Sequence, residues 1–140
     1  MKNLHTLALS LAVLVFTAIG CSFSTANLSS LKTSTDKEGK SESTNFKAGD
    51  TIFGKAQISN NGGKVKVKLY LVADNATGAT KGETMKGSEV SVDIDGDGYA
   101  SYSLPAEGMS PGSYELHADM LNEAGEKKDS KMTAIKVAGE

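Results

Sequence analysis

The chain has 140 residues, room for one domain, and 39% of them are hydrophobic. Beyond residue 20, fourteen lysines face all seventeen Asp and Glu, a formal charge of −3 without any Arg, which excludes the basic patch that nucleic-acid contact requires. With one Cys and no disulfide framework, a modest hydrophobic core must supply the stability.

Residues 1–20 (MKNLHTLALSLAVLVFTAIG) open with Lys2 and become an almost unbroken apolar run from Leu7 to Ile19. The run falls short of the about 20 residues a membrane span needs and suits the apolar region of an export signal. It ends in Ala18-Ile19-Gly20-Cys21. This tetrapeptide resembles the lipobox of bacterial lipoproteins, with Ala18 where Leu is commoner. The resemblance implies cleavage before Cys21 and acylation of its thiol, as a diacylglyceryl (palmitate-type) anchor. The alternative is an ordinary secretory signal with a cysteine close to the cut. Cys21 has no possible disulfide partner within the chain. Two or more acyl chains, at about 0.8 kcal/mol per buried methylene, hold a protein on a membrane without a transmembrane helix. Ser22, rather than Asp, resembles the pattern that lets such proteins travel to the outer membrane. The expected location is therefore the bacterial cell envelope, lipid-anchored at the outer membrane, periplasmic or surface-facing.

Residues 21–25 are expected to be the lipidated N-terminus and a short tether. Residues 26–35 (ANLSSLKTST) read as an edge strand using Leu28 and Leu31, or else as part of the tether, and 36–45 as a polar loop or tether. From residue 45 on the dominant period is two, the strand signal. Residues 51–59 put Ile52, Gly54, Ala56 and Ile58 on one face, and Asn60-Asn61-Gly62-Gly63 makes a turn. Residues 64–72 (KVKVKLYLV) alternate most cleanly, with Val65, Val67, Leu69 and Leu71 inward. A Gly- and Thr-rich connection follows over 73–88. Residues 89–94 put Val90, Val92 and Ile94 inward, and Asp95-Gly96-Asp97-Gly98 turns the chain. Residues 99–104 carry Ala100, Tyr102 and Leu104 inward, and 113–121 carry Tyr114, Leu116, Ala118 and Met120 inward. Residues 130–137 close the domain with Ile135 and Val137.

No segment beyond residue 20 shows helical apolar spacing over three turns. Six or seven short strands with frequent turns predict an all-β fold, an antiparallel β-sandwich. The ending PGSYELHADMLNEAGEKKDSKMTAIKV resembles the last two strands of bacterial immunoglobulin-like modules, and GDTIFGKAQISNNGGKVKVKLYL resembles their second and third. The resemblance covers residues 26–137 and implies a single immunoglobulin-like sandwich of about seven strands. The Cys…Trp…Cys pattern of antibody domains is absent, and Tyr114 is the candidate for a tyrosine-corner-like role.

Few residues sit in a setting that demands chemistry. Asp93-Ile94-Asp95-Gly96-Asp97-Gly98 looks like the start of a Ca2+ loop, but the twelfth position is Leu104 rather than a closing Glu. A turn shaped by Asp and Gly is the preferred reading; a Ca2+ site on Asp93, Asp95 and Asp97 is the other. Lys64, Lys66 and Lys68 form an outward stripe. In the implied fold it lies beside Glu115, His117 and Asp119, with Lys66 near Glu115 or Asp119, as a solvated face. His117, the one histidine beyond residue 20, lacks a nucleophile motif such as G-x-S-x-G and the companion ligands of a zinc site. Phe53 and Tyr70 fall on outward phases and are candidate surface contacts. The expected function is a non-enzymatic binding or structural module with a protein or glycan partner at the envelope and no cofactor. A Ca2+-binding adhesion or stability module and an envelope hydrolase using His117 are the alternatives.

Overall fold

The computed structural model describes residues 25–139. Among them are eight strands: β1 (Asn27–Ser34), β2 (Asn45–Lys47), β3 (Thr51–Ser59), β4 (Lys64–Ala76), β5 (Val90–Asp95), β6 (Gly98–Pro105), β7 (Gly112–Leu121) and β8 (Lys127–Ala138). They form a three-stranded sheet, β1-β3-β6, packed on a five-stranded sheet, β2-β8-β7-β4-β5. The fold is an all-β immunoglobulin-like sandwich. Among the described residues the first strand lies in one sheet, and the second crosses to pair with the last strand of the other.

Residues 26–35 are a strand rather than a tether. Leu28 and Leu31 are both buried, although three residues apart, because a bulge between Leu28 and Ser30 inserts one residue and resets the period. Strand β1 pairs with β3 along one edge, and on the other its end bridges to Glu42. On the other side β8 side chains bind its backbone: Asp129 Oδ2 accepts from Leu28 N at 2.8 Å, and Thr133 Oγ1 donates to Leu31 O at 2.9 Å. Residues 36–41 close a turn in which the Asp36 carboxylate accepts from the Lys40 and Ser41 amides, which lowers the Asp36 pKa. Strand β2 was not foreseen. It pairs parallel with β8 and buries Phe46, so the sandwich carries one parallel pair beside its antiparallel ladders.

Alternation places the expected residues inside. Ile52, Ala56, Ile58, Val67, Leu69, Leu71, Tyr114, Leu116, Ala118 and Met120 have no exposed surface. Each large aliphatic or aromatic side chain among them contributes about 1.5–3 kcal/mol of burial. Strand β4 is longer than its sequence pattern suggested, because β7 pairs with it as far as Ala76, whereas β5 pairs only with its first half, Lys64–Leu69. Residues 82–85 lie along the second half: Met85 N donates to Leu71 O at 2.8 Å and Ala73 N to Glu83 O at 2.9 Å. This strap occupies hydrogen-bonding groups that would otherwise make an open edge.

Tyr114 Oη donates to Ser110 O at 2.6 Å, pinning the β6–β7 corner from the start of β7 as a tyrosine corner does. Gly112 lies opposite Ala76, just beyond the bulge of β4 between Ala73 and Asn75. Its φ is +150°, and a Cβ there would overlap the Ala76 backbone. Tyr102 Oη is buried and makes no hydrogen bond of ordinary geometry among the described residues. Burial pushes its phenol up to about 12, the Ser88 hydroxyl opposing the shift.

Gly112→Ala should lower unfolding stability by about 3 kcal/mol, through strain and overlap with β4. Gly63→Ala, which meets nothing within 4 Å, should change it by less than about 0.5 kcal/mol. Urea titration of both variants measures the contrast.

A second outcome concerns Tyr102. Its phenol holds its proton more tightly folded than unfolded, so the associated stability is complete below pH 10. It is lost as the pH rises from 10 toward 12, by up to about 3 kcal/mol. Tyr102→Phe should be neutral or stabilising by about 1 kcal/mol at pH 7, because the removed hydroxyl is unsatisfied. Its advantage over the native chain should widen only above pH 10, as followed by unfolding midpoints across pH 7–12.

Candidate functional site

Strand β7 presents Glu115, His117 and Asp119 on the outer face of the five-stranded sheet, and β4 presents Lys66, Lys68, Tyr70 and Val72 beside them. The β4–β7 ladder sets Lys68 against Asp119, Tyr70 against His117 and Val72 against Glu115. The Tyr70 and His117 rings stack, with centroids 5.3 Å apart and planes 16° from parallel. Tyr70 Oη donates to Asp119 Oδ2 at 3.1 Å, and Lys127 Nζ reaches the same oxygen at 3.3 Å. Partial burial and the Asp119 carboxylate raise the Tyr70 pKa. His117 Nε2 lies 2.9 Å from Glu115 Oε2.

The lysine stripe and the carboxylates do share this face, but Lys66 is not beside Glu115 or Asp119. It lies opposite Leu121 on β7, and its ion pair, at 3.8 Å, is with Asp93 on β5. Lys68 pairs with Glu89 at 2.7 Å. The face is a connected set of exposed pairs, each worth a few tenths to about 1 kcal/mol. A catalytic His would need its ring nitrogen aimed at a hydroxyl or thiol nucleophile. Here Nε2 meets a carboxylate, the ring lies against Tyr70, and no Ser, Thr or Cys side chain bonds it among the described residues.

The three Asp residues do not form one cluster. Asp93 is exposed on β5 beside Lys66, and Asp95 lies opposite Lys64. Asp97 Oδ1 accepts from Asn61 N at 2.7 Å, while Asn61 Nδ2 donates to Gly96 O at 2.7 Å and Gly96 N to Gly63 O at 3.0 Å. Among the described residues no three His, Cys, Asp or Glu side chains could hold one metal ion. The Asp-Gly turn is also not a hairpin, because β5 and β6 belong to different sheets. It carries the chain across the end of the sandwich and is buttoned to the 60–63 turn through Asn61. Alternation could not single out Asn61.

On the other sheet, Phe53 is half-buried on the outer face, between Ser34 and Ser103. Tyr99 is 54% exposed there, with Lys55 Nζ 4.4 Å above its ring centroid. On the five-stranded sheet Met132 is 53% exposed, in line with His117. Both outward positions follow from the alternation of their strands. An open concavity of about 1050 Å³ lies between the 60–63 turn, the 122–124 turn and the start of β1. Cys21 lies outside the described residues.

No family model matches this sequence, and no curated protein matches it. Solved structures do resemble its fold. A cycloisomaltooligosaccharide glucanotransferase from Paenibacillus sp., crystallised with cycloisomaltoheptaose, superposes with a TM-score of 0.54 at 16% identity over 81% of this chain and 14% of its own. An immunoglobulin-like protein from Pseudomonas aeruginosa matches at a TM-score of 0.45 and 11% identity over 80% of this chain and 95% of its own. A CARDB domain from Pyrococcus furiosus, in complex with di-metal ions, matches at 0.44 and 13% over 83% and 93%. The chain thus spans about one seventh of the glucanotransferase, and at these identities the likeness is one of fold alone.

Proposed function

We propose that this chain is a lipid-anchored lipoprotein of the bacterial cell envelope, at the outer membrane, whose immunoglobulin-like domain is a non-enzymatic binding or structural module for a protein or glycan partner. The observation that carries the reading is the position of the sole cysteine. Cys21 closes an apolar leader that resembles a lipobox, and the first strand begins at Asn27. A thioether-linked lipid there would be joined to a folded domain through a few residues. Among the described residues no helix is long and apolar enough to cross a membrane, so membrane attachment in this reading rests on the lipid.

The non-enzymatic part is supported by His117, whose ring is held by Glu115 and Tyr70 on an open sheet face. Binding fits the architecture: a rigid two-sheet scaffold presents connecting loops at each end, where recognition residues are commonly carried.

The native chain, expressed in a bacterium fed radiolabelled palmitate, should incorporate label. Cys21→Ser should lose it entirely and keep the same melting temperature in the detached domain. A native chain that takes up no label sinks the lipoprotein reading.

A further inference from the structure

The reading of Cys21 as the anchor leaves open which side of the sandwich meets the bilayer. Four peptide steps separate Cys21 from Thr25, so the chain between them spans at most about 14 Å. Thr25 leads straight into β1, an outer strand of the three-stranded sheet. Strand β1 is about 26 Å long and runs away from that attachment. The tether is therefore much shorter than the domain, and it enters at a corner of the three-stranded sheet.

The two outer faces differ in where their carboxylates sit. The strands of the three-stranded sheet (NLSSLKTS, TIFGKAQIS and GYASYSLP) contain no Asp or Glu. Their outward side chains are mostly Ser, Gln and Lys, with Phe53 half-exposed and Tyr99 54% exposed. Lys55 makes no ion pair among the described residues and lies over the Tyr99 ring. Lys32 is paired with Glu42, and Glu38 and Glu42 of the loop between β1 and β2 line one concavity with Lys32 and Lys55. The outer face of the five-stranded sheet carries Asp93, Asp95, Glu115 and Asp119 on its own strands, interleaved with Lys64, Lys66 and Lys68. Anionic headgroups repel carboxylates and attract lysines, and a Tyr ring with a polar tip suits the membrane–water boundary. Tyr99 also stands toward the anchored end, because it lies opposite Gln57, which in turn lies opposite Ser30 near the start of β1.

We infer that the outer face of the β1-β3-β6 sheet is a membrane-contact surface, with Tyr99 and Lys55 at the headgroup level and the Tyr70–His117–Met132 face turned away toward soluble partners. This inference rests on lipidation at Cys21.

The chain has no Trp, so one introduced Trp is a unique fluorescent reporter. Tyr99→Trp and Met132→Trp replace two side chains of nearly equal exposure on opposite faces. Each variant is purified as the full lipidated protein, its lipid confirmed by intact mass and its fold by melting temperature. It is then reconstituted into phosphatidylethanolamine–phosphatidylglycerol vesicles containing a spin-labelled lipid quencher. The Tyr99→Trp protein should lose most of its emission and the Met132→Trp protein should keep it. Adding Lys55→Glu to Tyr99→Trp should restore much of the lost emission. Equal quenching in the two proteins, or stronger quenching in Met132→Trp, overturns the orientation. Quenching in neither also overturns it and leaves the Tyr99 face to a soluble glycan or protein. Protein without lipid by mass overturns the anchor reading itself, and the orientation with it.

Discussion

Across the two sheets, Leu116 of β7 packs directly onto Gly54 of β3. A Cβ built on Gly54 would stand 2.6 Å from Leu116 Cδ2 and 3.1 Å from Tyr102 Cβ. Native side-chain contacts do not reach such distances in a close-packed interior, so the missing side chain sets the sheet separation at the centre of the core. A glycine in a strand interior is entropically unfavourable, and it is tolerated here because another side chain fills the space. The packing of Ile52, Ile58, Leu69, Leu71 and Met120 follows from this spacing. So does the position of Tyr102, whose ring packs beside Gly54 while its hydroxyl ends without a partner. The sandwich accepts an unsatisfied polar atom to keep an aromatic ring beside Gly54.

Most of the fold was legible because a half-buried strand repeats every two residues, and seven of the eight strands are long enough to display that repeat. The failures share one cause, since each depends on a contact that the local period does not encode. Strand β2 has three residues and one apolar side chain, Phe46, too few to show any alternation. Its parallel partner lies some ninety residues away. The bulge at Ser29 was invisible for the opposite reason: two leucines at odd spacing look wrong for a strand until an extra residue is allowed between them. The β4–β7 adjacency was readable from the likeness to immunoglobulin-like modules, whereas the register was not. A displacement of two residues keeps every side chain on its face and changes only its neighbours. For that reason Lys68, and not Lys66, lies opposite Asp119.

The same limit governed the candidate site. Alternation placed Tyr70 and His117 outward correctly, but their stacking and the Asp119 link depend on register. The aspartates were recognisable as a turn by composition alone. Their role in fastening the end of the sandwich became evident only with Asn61, whose amide and side chain both bind the 96–97 segment. The strands of the three-stranded sheet contain no Asp or Glu, whereas those of the five-stranded sheet interleave carboxylates with lysines.

The route of the N-terminal chain, first along β3 and then along β8, has a mechanical consequence. A pull on Thr25 directed along β1 does not peel the strand away one bond at a time. It tries to slide β1 past β3, loading seven register pairs together. It also draws against the Asp129 and Thr133 cross-links to β8. Behind them the parallel β2–β8 pairing resists in the same shearing sense. The domain is therefore built to bear tension at its N-terminus, and force applied there meets its ladders in their strongest direction.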